Sequence, residues 1–492
     1  QTKRLIADSG YTIKSVLAKN EILLLKTTAN LSTGGTAIDV TDSVHPANIH
    51  IAERAIRIVG LDIGGVDIVA PDITTPLSEN NGGIVELNAA PGFRMHLQPT
   101  KGLPRNVAEP VIDMLFPPGS SSTIPIIAVT GTNGKTTTTR LLNHIMKFVG
   151  HTVGMCTTEG VYIKNRLIYE GDMTGPLSHK MVLTDPTVDM AVLECARGGM
   201  LRAGLGFRYC DVGVVTNVSA DHLGQNYIND LEKMSRVKGI IPEVVKPDGY
   251  AILNADDSLV ANMSNQTKGK VIYFSLDYKL NPVIKEHLKS GGMAVIFEEG
   301  VFCIMKGKWK YPLIEAKDVP ITFDGKARFN IANVLAAIGA TIAMGVKNEN
   351  INAALTTFFP SYSQTPGRLT MFDMGPYKAL VDFAHNVAGY DALAEFVRSL
   401  NPKNSIATIC LPGDRRDEDF QNVAKTVAET FNQVILFEGY LRGKKAGYIS
   451  NTLQKYLISF GMDSNKIEII IDEQDAVQYA LDLAQEGDLL VI

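Results

Sequence analysis

Hydrophobic positions along this chain fall into two kinds of run. Unbroken apolar stretches bounded by turn residues recur at Ile126–Thr130, Met190–Glu194 and Val212–Asn217, and again at Ala379–Phe383, Ser405–Leu411, Gln433–Phe437 and Leu489–Ile492. Short apolar runs without alternation predict strands buried on both faces. Between them, at 140–146, 387–400 and 418–432, apolar residues fall three and four apart, which predicts helices. Strand and helix in alternation is the pattern of an α/β fold with parallel sheets. Residues 1 to about 117 differ, with short β-rich runs and turns, and Phe116-Pro-Pro-Gly-Ser-Ser-Ser-Thr123 reads as a linker. Residues 269–325 hold further short strands and turns, followed from Ala327 by a small-residue helix suited to close packing. After Ser361–Pro366 a second, smaller Rossmann-like α/β domain is expected. The chain therefore divides as 1–117, 118–363 and 364–492, and no repeat or low-complexity tract interrupts it.

Composition sharpens this picture only in places. With 492 residues, about three domains are expected at about 150 residues each. A net charge of −5 argues against a general nucleic-acid binder, although the basic spot Arg442-Gly-Lys-Lys445 is suited to an anionic substrate. Five scattered cysteines with no C-x-x-C fit a reducing compartment. Apolar runs stop short of the roughly 20 residues that span a bilayer, and no signal peptide opens the chain, so a cytoplasmic protein without membrane contact is expected. Gln1 and the closing apolar run suggest sequence missing at both ends.

The densest chemistry lies at Ile124-Pro-Ile-Ile-Ala-Val-Thr-Gly-Thr-Asn-Gly-Lys135-Thr-Thr, where an apolar strand feeds a glycine loop that opens a helix. Backbone N–H groups of such a loop and the positive helix end bind phosphate. Gly131, Thr132, Asn133, Gly134, Lys135, Thr136 and Thr137 are the nucleotide-binding candidates, with Lys135 for terminal phosphates and Thr136 for Mg²⁺. The spacing departs from G-x-x-x-x-G-K-[ST], because Val129 stands where the first glycine would be. Downstream, Glu194 ends one strand and Asn217-x-x-x-Asp221-His222 follows another. Carboxyl ends of neighbouring parallel strands line one crevice, so Glu194 and His222 are candidate Mg²⁺ ligands.

Taken in order, Gly131-Thr-Asn-Gly-Lys-Thr-Thr, Glu194, Asp221-His222, Lys238, Asn254-Ala-Asp-Asp, Phe329-Asn-Ile-Ala-Asn333, Gly367-Arg368, Asp382-Phe-Ala-His385-Asn386 and Gly413-Asp-Arg-Arg-Asp417 resemble the Mur ligase family. Members of that family, which includes folylpolyglutamate synthetase, use ATP to join an amine to a carboxylate. The resemblance implies Glu194 and His222 on Mg²⁺, a carbamylated Lys238, and Asn333, Arg368 and Asp382 on ATP; with Lys135 these supply the catalytic set Lys135, Glu194, His222 and Lys238. Cys195-Ala-Arg197-Gly-Gly stands where the family often has two serines, which leaves the acceptor side of the pocket open.

Near the front, Asp67 and the pair Glu86-x-Asn88, followed by Pro91-Gly92, offer three oxygen ligands on adjacent strands. They resemble the metal-binding end of ATP-grasp ligases, with Asn30-Leu-Ser-Thr-Gly-Gly35 as the small-residue loop. The fold class expected is thus the C-terminal part of an ATP-grasp domain, then a Mur ligase-like P-loop α/β domain, then a Rossmann-like one. That fusion resembles the cyanophycin synthetase family, which implies ATP- and Mg²⁺-dependent polymerisation of L-aspartate and L-arginine on a cyanophycin primer by a homotetramer. The ATP-grasp site would extend the aspartate backbone, and the Mur-like site would add arginine to each β-carboxylate. Competing readings are a ligase of β-aspartyl-arginine dipeptides, a peptidoglycan- or folate-type ligase, and a nucleotide-binding module with an inactive site. Asp414, Asp417 and Glu418 are candidates for guanidinium recognition, Arg197, Arg202 and Lys444 for the polymer backbone, and His385, near Asp382, for positioning substrate.

Overall fold

The computed structural model describes residues 2–25, 31, 35–221 and 228–492, which form two compact units, 1–123 and 124–492. In the first unit, Gly65–Val69 and Gly83–Asn88 pair antiparallel, with Asp67 directly opposite Glu86. Asn88 Nδ2 donates to Asp67 Oδ2 at 3.4 Å, so the hairpin brings the three front residues together. This unit is more helical than its apolar pattern suggests. Ile49 and Ile51 alternate as in a strand, yet Pro46–Val59 is a helix. Its signals are at the ends: Pro46 at the first position, and Gly60 at φ +80° closing it in the left-handed conformation.

In the second unit, seven parallel strands form the centre of an eleven-stranded sheet. The P-loop strand Ile126–Thr130 lies between Met190–Glu194 and Cys210–Val215. Antiparallel hairpins flank this centre, Gly160–Ile163 with Arg166–Glu170 on one edge and Val301–Lys306 with Trp309–Glu315 on the other. The sheet is therefore mixed rather than purely parallel, and 269–325 is a continuation of the same sheet.

Both faces are buried, as unbroken apolar strands require. Ile127 and Val129 join one core cluster, while Ile126 and Ala128 join the other. The helix Arg328–Ala343 packs on the P-loop helix Lys135–Phe148 and on four strands, and its small residues permit the approach. A Cβ on Gly339 would lie 3.0 Å from Ile252 Cγ2.

Residues 370–491 supply a second sheet of six strands, in the order Thr370–Asp373, Lys378–Val381, Leu489–Val491, Ser405–Ile409, Gln433–Leu436 and Ile467–Ile469. All but the first are parallel, and core clusters cover both faces. No helix among the described residues is long and apolar enough to cross a membrane.

Candidate active site

The glycine loop follows its strand directly, and its conformation depends on two glycines. Gly134 has φ +82°, and a Cβ there would collide with Asn333 Oδ1; a Cβ on Gly131 would collide with the Thr216 hydroxyl. The strand end 216–217 supports the loop from below. Thr216 Oγ1 and Asn217 Nδ2 donate to the Asn133 carbonyl at 2.7 and 3.0 Å, and Asn217 Oδ1 accepts from Asn133 N at 2.9 Å. Lys238, on the helix Leu231–Glu243, donates from Nζ to the Gly131 carbonyl at 2.7 Å. Burial, with repulsion from Lys135, pushes the Lys238 ammonium well below the lysine range.

Thr136, first turn of the helix, donates to Glu194 Oε2 at 2.9 Å. Glu194 is fully buried, and its other oxygen has no hydrogen-bond partner among the described residues. Burial pushes its carboxyl up, against the pull of Lys135, Arg368 and the Thr136 hydrogen bond. An unpartnered buried carboxylate oxygen beside a P-loop hydroxyl suits a hard divalent cation. Lys135 donates from Nζ to the Thr132 carbonyl at 2.8 Å, and burial depresses its pKa against the attraction of Glu194 and Asp221. His222 lies outside the described residues.

The smaller sheet presents its loops to the same place. Asn386, which caps the helix Val387–Leu400 through Gly389 N, makes a reciprocal amide pair with Asn133 at 3.0 and 3.1 Å. Arg368 donates to Thr158 Oγ1 at 3.2 Å, lies 3.8 Å from Glu159, and stacks 4.6 Å from the Phe383 ring centre. Asp382 is pushed up by burial, opposed by Arg368 and by the Leu369 N–H that it accepts at 2.9 Å. Asn333 Oδ1 accepts from Thr138 at 3.5 Å.

Pairings here add to the sequence reading in two respects. His385 is near Asp382, as expected, and its Nε2 also lies 3.7 Å from Asp221 Oδ2. Asp414 pairs with Arg415 at 3.3 Å, Asp417 accepts from Tyr456, and Glu418 pairs with Arg416 at 3.4 Å, so all three guanidinium candidates have neighbours within the chain. Thr158 and Glu159, missed earlier, follow the strand Val153–Thr157 beside Met190–Glu194, where the strand-end rule that found Glu194 would have found them. Arg415, whose side chain is 2% exposed, pairs with Asp221 at 2.9 Å. Removing Arg415 takes from the mostly buried Asp221 carboxylate its nearest counter-charge among the described residues, so Arg415→Met should cost about 3 kcal/mol in denaturant unfolding. Adding Asp221→Asn should recover part of that loss; strict additivity of the two changes would count against the pair.

The Mur ligase middle domain matches residues 129–341 and the Mur ligase glutamate ligase domain matches residues 367–492. The chain belongs to the Mur ligase family. Over 98% of its length it is 51% identical to the cyanophycin synthetase of Crocosphaera subtropica and 50% identical to that of Synechocystis sp.. It spans 55% of the length of each of these relatives. A more distant member of the Mur ligase family, the UDP-N-acetylmuramoyl-L-alanyl-D-glutamate–2,6-diaminopimelate ligase of Bacteroides fragilis, is 27% identical over 76% of this chain and 73% of its own. Among solved structures, E. coli FolC with DHPP and ADP has a TM-score of 0.56 at 20% identity, covering 75% of this chain and 85% of that one. A bifunctional folylpolyglutamate synthase/dihydrofolate synthase with Mn, AMPPNP and L-glutamate has a TM-score of 0.55 at 18% identity, covering 76% and 87%. These two show the Mur ligase fold, and the relatives of this chain are ATP-dependent ligases.

Proposed function

We propose that this chain is the portion of a cyanophycin synthetase that adds arginine to the β-carboxylate of a polyaspartate backbone at the expense of ATP. The observation that carries the reading is the buried Glu194 carboxylate, with one oxygen lacking a hydrogen-bond partner among the described residues, directly beside Thr136 of an intact Gly134-Lys135-Thr136 loop. The likeness to cyanophycin synthetases over 98% of the chain supports the substrates. In this reading Gly131–Thr137, Asn333, Arg368 and Asp382 would hold ATP, and Glu194 and Thr136, with His222, would hold Mg²⁺, which would supply charge neutralisation on the phosphates.

The chemistry proceeds in two displacements. A carboxylate oxygen attacks the γ-phosphorus, the bond to the β-phosphate oxygen breaks, and ADP leaves. Charge on the equatorial oxygens is stabilised by Lys135 and the loop amides. The arginine α-amine then attacks the acyl carbon, loses a proton, and inorganic phosphate departs. Burial disfavours the charged form of Lys238, and its neutral amine is the form that would react with CO₂ to give a carbamate, which would add an anionic ligand. In the first unit, Asp67, Glu86 and Asn88 would hold the metal of an ATP-grasp site that adds aspartate. The enzyme would work as a cytoplasmic homotetramer.

The full-length enzyme tests this with ATP, Mg²⁺, primer and labelled amino acids. Free arginine and free aspartate should both enter the polymer. Incorporation only from the β-aspartyl-arginine dipeptide would replace this reading with the dipeptide ligase, and no incorporation from either would remove both.

A further inference from the structure

The segment from Tyr440 to Lys455 carries Arg442, Lys444, Lys445 and Lys455 and no acidic residue, in a chain whose net charge is −5. None of these four cations forms an ion pair among the described residues. Three lie over tyrosine rings instead: Arg442 over Tyr440 at 5.8 Å, Lys444 over Tyr448 at 4.6 Å and Lys455 over Tyr456 at 5.5 Å. Lys445, Tyr448 and Lys455 line a surface cavity of about 450 Å³.

The loop is held in place from two sides. Glu438 accepts from Gly447 N, Ile449 N and Ser450 N at 2.8, 2.9 and 3.0 Å, which satisfies the helix Tyr448–Ser459 and ties both ends of the loop together. Arg442 adopts φ +49° between these anchors, a conformation that costs a non-glycine residue energy and persists only where surroundings impose it. On the other side Gly413 N donates to the Tyr440 carbonyl at 2.9 Å, and a Cβ on Gly413 would collide with the Leu441 carbonyl. Gly413 lies two residues from Arg415, the partner of Asp221, so this hydrogen bond ties the basic segment to the loop that carries Arg415.

We propose that this surface is a docking site for the already-made part of the polymer, and this rests on the cyanophycin reading above. When the arginine α-amine forms the isopeptide bond, each repeat keeps a free α-carboxylate and a guanidinium. Arg442, Lys445 and Lys455 meet the carboxylates, and Tyr440 and Tyr448, 52% and 43% exposed, offer ring surface to guanidinium groups. The site acts by holding the chain near the reacting end, which matters for long primers and not for short ones.

The test is arginine incorporation by the full-length enzyme on a short and a long synthetic aspartyl-arginine repeat. In the triple variant Arg442→Asn, Lys445→Gln, Lys455→Gln, the KM for the long primer should rise about tenfold. kcat, the KM for ATP and the KM for the short primer should not move. A charge-preserving variant, Arg442→Lys, Lys445→Arg, Lys455→Arg, should restore the long-primer KM. Equal effects on both primers, no effect on either, or equally effective competition by a DNA oligonucleotide would overturn the docking site. A wild-type enzyme inert toward every primer would instead overturn the functional reading on which it rests.

Discussion

Glu194→Gln should abolish nearly all arginine addition while leaving the fold as stable as before or more so. The amide keeps the volume and can still accept the Thr136 hydrogen bond, but it removes the negative charge that a divalent cation needs. A loss of roughly a thousandfold, or about 4 kcal/mol of transition-state stabilisation, is expected in kcat/KM. Stability moves the other way because the charge is buried without full compensation. The folded carboxyl titrates above its ordinary value, so between the two the native protein binds more protons than the unfolded chain. Metal-free protein should therefore lose stability as pH rises from the ordinary glutamate range through the raised value. Glu194→Gln should flatten part of that decline, with Asp382, also raised, retaining the rest. A variant that unfolds more readily than wild type at neutral pH would contradict this account of Glu194.

What could be read from the sequence depended on how local the signal was. The P-loop strand and helix announce themselves, because burial on both faces and a glycine-opened helix each leave a mark within a dozen or so residues. The helix 387–400 was legible for the same reason, from apolar residues at helical spacing, and in the structure Asn386 caps it. Glu194 closes an unbroken apolar strand, whereas Thr158 and Glu159 follow Val153-Gly-Met-Cys-Thr157, whose glycine and threonine break the apolar signal. Pairings across long stretches of chain left no such mark. His385 has Asp382 three residues away, but its 3.7 Å contact with Asp221, in the segment that follows a strand of the other sheet, is decided only by the packing of the two sheets. Likewise Asn133 and Asn386 are ordinary asparagines until the loops that carry them meet. The helix Pro46–Val59 was obscured by isoleucines two apart, a spacing that mimics a strand when end signals are not weighed.

Lys135→Ala should lower arginine addition by about a hundred- to a thousandfold, the scale seen when a preorganised donor to developing charge is removed. Without a nucleotide, Nζ rests on the carbonyl of Thr132 in its own loop, 2.8 Å away. Burial already disfavours its charge, so the ammonium gains most when phosphate charge arrives, and more still as charge builds on the γ-phosphoryl oxygens. The loss should accordingly fall on kcat more than on the KM for ATP. Lys135→Arg should not restore activity, because a planar guanidinium cannot replace a compact ammonium in a loop packed this closely on Asn333. The proposed separate aspartate site predicts that a single aspartate still joins a primer ending in a complete repeat. Arginine addition that survives Lys135→Ala would place that reaction elsewhere, whereas loss of both additions would mean that the two sites are not independent.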